Sequence, residues 1–301
     1  MQVHQLGDGV PEVAVVAGIH GDEPCGPRAV ERLLAEDPSV ERPAKLIVAN
    51  EEALDAGERY HEEDLNRAFP GDPDGDTHES QLAHHLQAEV ESCTVLSLHS
   101  TQSFAEPFAL CETVDEVARA TVPALPVDVL VETDRFADGR LIQHPHTVEV
   151  ECGLQGSDEA ADNAYRLTTA FLSATGVLSS IPERDAAALP GVDGGGAAGD
   201  ASPTDPDASP TDPETAAAPT VDSEAVGDAV EVFRLLDPIA KPPAERYEVL
   251  AENFERVAVG EAFAEADGET FTADRPFHPV LMSAYGYADV FGYAAERVGT
   301  L

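Results

Sequence analysis

Blocks of apolar and polar positions along the first half of the chain predict strands and helices in turn. The continuous apolar, β-branched run VAVVAGI over 13–19 is typical of a strand that is buried in a parallel sheet. Helical spacing of apolar residues predicts helices over about 24–36, 79–92 and 158–174, and further apolar runs predict strands over 45–50, 94–99 and 147–151. Such alternation predicts an α/β fold whose mainly parallel sheet is flanked by helices.

The pattern changes twice in the second half of the chain. Residues 183–228 contain no aromatic residue, no Ile and no Met, but eleven acidic side chains and one basic one. This composition cannot bury enough apolar surface to offset the entropy of ordering, so it predicts a disordered, acidic, Pro/Gly-rich linker or insertion. Alternation and turn signals return over 229–301 and predict a small β-rich C-terminal domain, which leaves 1–182 as the first domain.

The charge of the chain is strongly one-sided. Asp and Glu number 58 and Lys and Arg number 17, for a formal net charge of −41, and only Lys45 and Lys241 are lysines. Nucleic acids and anionic membranes would repel such a chain, so neither is expected as a partner. The acidity persists outside 183–228. An acidic, lysine-poor surface favours adaptation to concentrated salt, where the Debye length falls to about 3 Å at 1 M.

Three features of the sequence bear on the cellular compartment of the protein. The N-terminal stretch MQVHQLGDGVPEV has no signal-peptide pattern, and no apolar run approaches the length of a membrane span. The four cysteines form no CxxC pair, so a disulfide framework is not implied. We therefore expect a cytoplasmic protein, and the oligomeric state stays open.

Candidate metal ligands follow two of the predicted strands. GIHGDEP (18–24) comes directly after the first strand, and its His20 and Glu23 are three residues apart. His99 ends the strand TVLSLH and would lie at the same edge of the sheet, where open α/β folds build their sites. Two His and one Glu are the ligands of hydrolytic zinc sites. The alternatives are a helix-capping pair and a core histidine.

Two further segments carry charged residues of interest. RYHEEDLNRAFPG (59–71) gathers Arg59, Asn66 and Arg67, which suits a carboxylate clamp, although composition alone favours ordinary ion pairing with nearby acids. In VEVECG, alternation puts Glu149 and Glu151 on the same face of a strand. Glu151, nearer the strand end, is the better candidate for a general base. The alternative is a solvated face of an edge strand.

In this order the motifs GxHGxE, DLNRxFPG with its upstream RY, LHST and ExG resemble the succinylglutamate desuccinylase/aspartoacylase family over roughly 13–175. The resemblance implies a zinc-carboxypeptidase-like fold and a zinc-dependent hydrolase, with one Zn²⁺ per chain, that cleaves the amide bond of an N-acyl amino acid. A β-rich C-terminal domain is also typical of the family. Residues 1–182 would then be the deacylase catalytic domain.

The resemblance also implies roles for individual residues. His20, Glu23 and His99 would bind zinc, and Glu151 would take a proton from water and deliver it to the leaving amine. Arg59 would stabilise the oxyanion.

On the substrate side, the resemblance assigns Asn66 and Arg67 to the α-carboxylate of the amino acid. A substrate-contacting tyrosine is implied near the C-terminus, where Tyr287 fits better than Tyr285.

The chain departs from the family pattern at one position beside the proposed metal ligands. Where the family often has Asp two residues before the second histidine, this chain has Ser97, which questions how His99 is held. A second substrate-binding arginine is open between Arg135 and Arg140. The alternatives to the deacylase are a zinc carboxypeptidase acting on peptides and a non-catalytic homologue that binds zinc or ligand.

Overall fold

The computed structural model describes residues 1–179 and 229–301. Its strands and helices are, in chain order, β1 (Gln2–Leu6), β2 (Val13–Ala17), α1 (Cys25–Glu36), β3 (Ala44–Val48), α2 (Glu51–Ala56), α3 (His78–Val90), β4 (Thr94–Thr101), β5 (Phe108–Cys111), α4 (Glu116–Thr121), β6 (Val129–Glu132), β7 (Thr147–Leu154), α5 (Asp158–Ala174), β8 (Glu231–Ala240), β9 (Tyr247–Val249), β10 (Ala262–Ala266), β11 (Glu269–Thr272), β12 (His278–Val280) and β13 (Val290–Thr300). The acidic segment predicted over 183–228 lies outside the described residues.

Ten of the strands form one sheet, in the order β1-β3-β2-β4-β7-β5-β6-β8-β13-β12. Strands β3, β2, β4 and β7 run parallel to one another, as do β5, β6 and β8, whereas β5 is antiparallel to β7. The predicted α/β fold with a mainly parallel sheet is therefore confirmed.

The C-terminal residues are β-rich, as predicted. Strands β8, β13 and β12 pair antiparallel and extend the large sheet, while β9, β10 and β11 form a separate antiparallel sheet. The described residues on both sides of the acidic segment belong to one compact unit. The division into 1–182, 183–228 and 229–301 stays a prediction, because the boundary between 182 and 183 lies outside the described residues.

The helices cover both faces of the sheet. Along β2, Val13, Val15 and Ala17 join the hydrophobic cluster that contains α1 and α5, whereas Ala14 and Val16 join the cluster that contains α3. This burial on both faces explains why β2 reads as a continuous apolar run rather than an alternating one.

Local capping sets the helix starts. The Thr77 hydroxyl accepts the Ser80 amide at 3.1 Å, so α3 begins at residue 78, and Ser157 caps α5 through the Ala160 amide at 3.0 Å. Gly18, with φ of 67°, turns the chain out of the sheet directly after β2. The strand therefore ends at Ala17, two residues before the end of the apolar run 13–19.

Some elements escaped the sequence pattern. The pattern did not predict β1, β5 or β6, which have only four or five residues each and offer too few positions for a periodic signal. The uncertain stretch near 285–297 overlaps the long strand β13.

Two further properties concern compartment. All four cysteines are free and buried. In the described part of the chain, no helix is both long enough and apolar enough to span a membrane.

Candidate functional site

The turn between β2 and α1 brings His20 and Glu23 to the carboxyl edge of the sheet. A Cβ at Gly21 would lie 2.1 Å from the carbonyl oxygen of Ala53, so a glycine is needed for this close approach. The Gly21 amide donates to the carbonyl of Arg59 at 3.1 Å. The turn is therefore tied directly to the loop that carries Arg59.

His20, Glu23 and His99 form one buried cluster. Nδ1 of His20 lies 2.8 Å from Oε1 of Glu23, and Nδ1 of His99 lies 3.2 Å from Oε2 of the same carboxylate. One potential ligand atom from each residue lies within 4.8 Å of the others, so the group could hold a metal ion. The three side chains predicted as ligands are thus brought together.

The charges of this cluster are strongly coupled. Burial opposes protonation of His99, but the hydrogen bond to Glu23 and the charge of Glu149 outweigh it and raise its pKa to about 9. Burial likewise opposes protonation of His20, yet Glu23 and Asp64 raise its pKa. Burial alone would raise the pKa of Glu23, but the two histidines hold it well below its usual range. The Glu23 carboxylate and the two imidazoles therefore each favour the charged form of the other.

The outward-facing nitrogens of the two histidines also have partners. Nε2 of His20 lies 3.1 Å from Oδ1 of Asp64, and Nε2 of His99 lies 3.1 Å from Oγ of Ser97. Such contacts fix the tautomer and the orientation of a ligating ring. The serine that departs from the family pattern therefore still contacts His99.

Arg59 lies beside the same cluster. Its Nη1 donates to Oε1 of Glu23 at 3.3 Å, and its Nε donates to Oδ2 of Asp64 at 3.3 Å. Burial would lower the pKa of Arg59, but Asp64 and Glu23 raise it, so its charge is secure. Its guanidinium lines the cavity next to the possible metal site.

A buried glutamate that the sequence did not reveal holds the loop after Arg59. The carboxylate of Glu79, on α3, accepts the backbone amides of His61, Glu62 and Glu63 at 2.7, 3.1 and 3.3 Å. It also accepts Nδ2 of Asn50 at 3.1 Å. These four bonds shape the irregular segment that precedes DLNR. A Glu at the second position of a helix reads as ordinary charge placement, so no sequence signal marked it.

Strand β7 carries Glu149 and Glu151. It lies between β4 and β5, so the alternative that these residues form the solvated face of an edge strand is wrong. Oε2 of Glu151 has no hydrogen-bond partner among the described residues, and the side chain lines the cavity. Burial, followed by the negative charge of Glu23, raises the pKa of Glu151 to about 7.

The DLNR segment and a loop distant in sequence supply further polar groups to the cavity wall. Oδ1 of Asn66 accepts the Leu141 amide at 3.0 Å, and Arg67 donates to the Asn66 carbonyl at 2.6 Å. Arg140 lines the same cavity, and its buried Nε has no hydrogen-bond partner in the described part of the chain. Burial and the neighbouring charge of Arg140 lower the pKa of Arg67. Among the described residues, no carboxylate forms an ion pair with either of these two neighbouring arginines.

The structure also separates the pairs that the sequence left open. Arg135 is 64% exposed and pairs with Asp237 at 3.2 Å, whereas Arg140 lines the cavity. Tyr285 is 64% exposed, whereas Tyr287 lines the cavity. Arg140 and Tyr287 are therefore the members of each pair that can meet a ligand there.

A single cavity is lined by all eight residues predicted for the site, which are His20, Glu23, Arg59, Asn66, Arg67, His99, Glu151 and Tyr287. Its wall also contains residues that no motif marked, among them Gln102, Ser103 and Gln155. Which role each of these residues has stays a prediction.

Comparison with known proteins finds the same similarity as the sequence motifs. Residues 9–137 match the catalytic domain described as Succinylglutamate desuccinylase/Aspartoacylase catalytic domain. Over these residues the chain is similar to the succinylglutamate desuccinylase/aspartoacylase family, in agreement with the resemblance of its motifs. A curated relative, the N-alpha-acetyl-L-2,4-diaminobutyric acid deacetylase of Halomonas elongata, is 34% identical over 123 residues. That match covers 38% of this chain and 36% of the relative, so only about a third of the relative's length is spanned.

Several solved structures share the fold over nearly the whole chain. The product-bound ectoine utilization protein EutE (DoeB) of Ruegeria pomeroyi has a TM-score of 0.66 at 19% identity, covering 99% of this chain and 88% of that one. A succinylglutamate desuccinylase/aspartoacylase of Rhodobacter sphaeroides has a TM-score of 0.69 at 17% identity, covering 98% and 89%. A variant of murine aminoacylase 3 has a TM-score of 0.62 at 17% identity, covering 97% and 96%. At these identities the likeness concerns the fold.

Proposed function

We propose that this chain is a zinc-dependent amidohydrolase that cleaves an N-acyl amino acid into a carboxylate and a free amino acid. The observation that carries the proposal is the set of residues that line one cavity. A buried His₂Glu set, a carboxyl group with a raised pKa, and Arg67 and Arg140, which form no ion pair among the described residues, all line it. These are the groups that metal-assisted hydrolysis of an anionic amide requires.

The donor set suits zinc. Two imidazoles and one carboxylate, with a position left for water, are the ligands of hydrolytic zinc sites. Both histidines turn Nδ1 toward Glu23 while Nε2 contacts an outer partner, as a ligating histidine does. When bound, one zinc ion per chain would polarise the amide carbonyl and promote ionisation of water at neutral pH.

The protein groups around that ion have separate tasks. Glu151 would accept the proton of the attacking water and pass it to the leaving amine, because it lines the cavity and its Oε2 has no hydrogen-bond partner among the described residues. Arg59, already beside Glu23, would donate hydrogen bonds to the oxyanion that forms on the amide carbonyl.

Other residues of the cavity wall would recognise the amino-acid part of the substrate. The Asn66 amide and the guanidinium groups of Arg67 and Arg140 would bind the α-carboxylate or a second carboxylate of the substrate. Tyr287 would contact the substrate from the C-terminal region.

The proposed activity has a direct test. Purified protein, held in concentrated salt, is treated with a chelator, reloaded with zinc and assayed for release of free amino acid. Acetyl-, succinyl- and formyl-amino acids form the screen, including N-acetyl-2,4-diaminobutyrate because a relative is named for it. We expect hydrolysis that is lost on chelation, restored by zinc and abolished in Glu151→Gln. Full activity of the metal-free protein would contradict the proposal.

The same screen separates the two alternative functions. Equal turnover of C-terminal peptide bonds and acyl amino acids would favour a zinc carboxypeptidase. Tight binding of zinc and of acyl amino acids without any hydrolysis would favour a non-catalytic homologue.

We also propose that the protein works in concentrated salt. Its support is the net charge of −41 with only two lysines. So large an excess of one charge would repel itself in dilute buffer, and screening relieves that repulsion. Thermal unfolding at increasing salt concentration tests this, because the unfolding temperature should rise steeply. An unfolding temperature that stays constant would contradict the proposal.

A further inference from the structure

The Nε2 side of His99 is surrounded by two polar groups. Oγ of Ser97 lies 3.1 Å from Nε2, and Oε1 of Glu149 lies 3.7 Å from the same atom. On the other side of the ring, Nδ1 faces Glu23 at 3.2 Å. The imidazole therefore turns one nitrogen toward the possible metal site and the other toward Ser97 and Glu149.

The pairing of β4 with β7 produces this arrangement. The parallel register places Ser97 opposite Glu149 and His99 opposite Glu151. Side chains two residues apart lie on the same face of a strand, so both pairs point toward one side of the sheet. Glu149 thus sits one step deeper than Glu151, behind the ring of His99.

The burial of Glu149 calls for a charge partner. Its side chain is only 4% exposed, and a buried carboxylate is costly unless it is paired. Among the described residues, His99 is the one ionisable cation within ion-pair distance of it. Nδ2 of Asn66 lies 3.5 Å from Oε1 of Glu149 and adds a weak polar contact. The placement of Glu149 is therefore explained by the imidazole.

The two outer groups differ in what they can supply. The Ser97 hydroxyl is close enough for a hydrogen bond with Nε2 but carries no charge. The Glu149 carboxylate at 3.7 Å is too far for a good hydrogen bond but close enough for a strong charge interaction in a buried site. Together they favour a proton on Nε2, which leaves the lone pair of Nδ1 for a metal ion.

We propose that Glu149 is a positioning residue for the metal site, which acts with Ser97 to hold His99 ready to ligate through Nδ1. Its negative charge makes the imidazole a stronger ligand, and its contact with Asn66 links that ligand to the residue proposed to bind the substrate carboxylate. The inference rests on the proposed zinc-dependent function, because it assigns a role toward the same ion.

The test is the zinc affinity of the purified full chain, measured by competition with a chromophoric chelator at constant salt and pH. Glu149→Gln keeps the shape of the side chain and removes its charge. We expect its zinc dissociation constant to rise about 10- to 100-fold. Glu132→Gln is the matched control, since Glu132 is also buried in the sheet but pairs with Arg234. Its zinc affinity should equal that of the wild type.

A double variant tests whether a carboxylate at another position can replace that of Glu149. Ser97→Asp combined with Glu149→Gln moves the carboxylate to the facing strand, and we expect the zinc affinity to return toward the wild-type value. In a His99→Ala background, Glu149→Gln should have no further effect. The proposal is overturned if Glu149→Gln alone binds zinc as tightly as the wild type. An undiminished effect of Glu149→Gln in the His99→Ala background also overturns it.

This experiment is independent of the proposed activity, because the zinc titration needs no substrate. If the wild type binds zinc and Glu149→Gln weakens binding while no acyl amino acid is hydrolysed, the proposed activity fails and the role of Glu149 stands. If acyl amino acids are hydrolysed but Glu149→Gln leaves the zinc affinity unchanged, the role of Glu149 fails and the activity stands.

Discussion

Glu151→Gln should stabilise the metal-free protein at alkaline pH. The carboxyl group of Glu151 lies in the cavity beside Glu23, and burial together with that negative charge raises its pKa from 4.5 to about 7. Above neutral pH the ionised side chain therefore opposes folding. Glutamine resembles the protonated acid in shape and never ionises, so the substitution removes this opposition.

The magnitude follows from the difference between the folded and unfolded states. The pKa of Glu151 is raised from 4.5 in the unfolded chain to about 7 in the folded protein, so folding favours its protonated form. The stability that the protonated side chain contributes is fully present below pH 4.5 and is lost as the pH rises through 7. At 1.36 kcal/mol for each tenfold change in proton affinity, the loss is roughly 3 kcal/mol. Glu151→Gln should thus gain roughly 3 kcal/mol at about pH 8 and little at about pH 5.

The assay is denaturant unfolding in the presence of a chelator at constant salt, with wild type and variant compared at both pH values. Glu31→Gln, on the exposed surface of α1, controls for the general removal of one negative charge from a very acidic chain. Zinc must be absent because a cation beside Glu151 would favour its ionised form. The reasoning is refuted if Glu151→Gln gives no gain at alkaline pH, or the same gain at both pH values.

Three further predictions concern the substrate. Arg140→Gln should raise KM about tenfold or more by removing a charged hydrogen bond to the substrate, whereas Arg135→Gln should leave KM unchanged in steady-state assays. Tyr287→Phe should lower kcat/KM by roughly two- to tenfold and Tyr285→Phe should not, since only Tyr287 lines the cavity. For the wild type, kcat/KM should rise with salt over the range where circular dichroism shows a folded protein, and a fall there would contradict our account of the charge.

Local signals explain what could be predicted from the sequence. His20 and Glu23 belong to one short turn after a strand that is buried on both faces, so a continuous apolar run followed by a Gly-rich motif located them. His99 and Glu151 lie in central strands, and the carboxyl ends of parallel strands meet at one edge of a sheet. The helix α5 could also be predicted from local signals, because Ser157 caps its start and the helical spacing of apolar residues continues to its end.

Contacts between distant segments explain what could not be predicted. The sequence left the choice between Arg135 and Arg140 open, and a close contact of Gly139 helps to place Arg140 at the cavity. A Cβ at Gly139 would lie 2.6 Å from the carbonyl oxygen of Arg67, and its own carbonyl accepts the Phe69 amide at 3.1 Å. This approach of two loops, more than sixty residues apart, sets Arg140 beside Arg67. A single sequence contains no periodic or compositional signal for such a contact.

The pairing of Arg67 with Arg140 bears on how an acidic protein can bind anions. The two guanidinium groups repel each other in a partly buried site, and burial together with the charge of Arg140 lowers the pKa of Arg67. A carboxylate placed between them would relieve that repulsion, so binding an anion should stabilise the folded protein as well as fill the site. The repulsion from the net charge of −41 acts over long distances and is screened by salt, whereas contacts at hydrogen-bond distance inside the cavity are screened much less. Salt should therefore remove the barrier to anion entry while it leaves most of the local attraction.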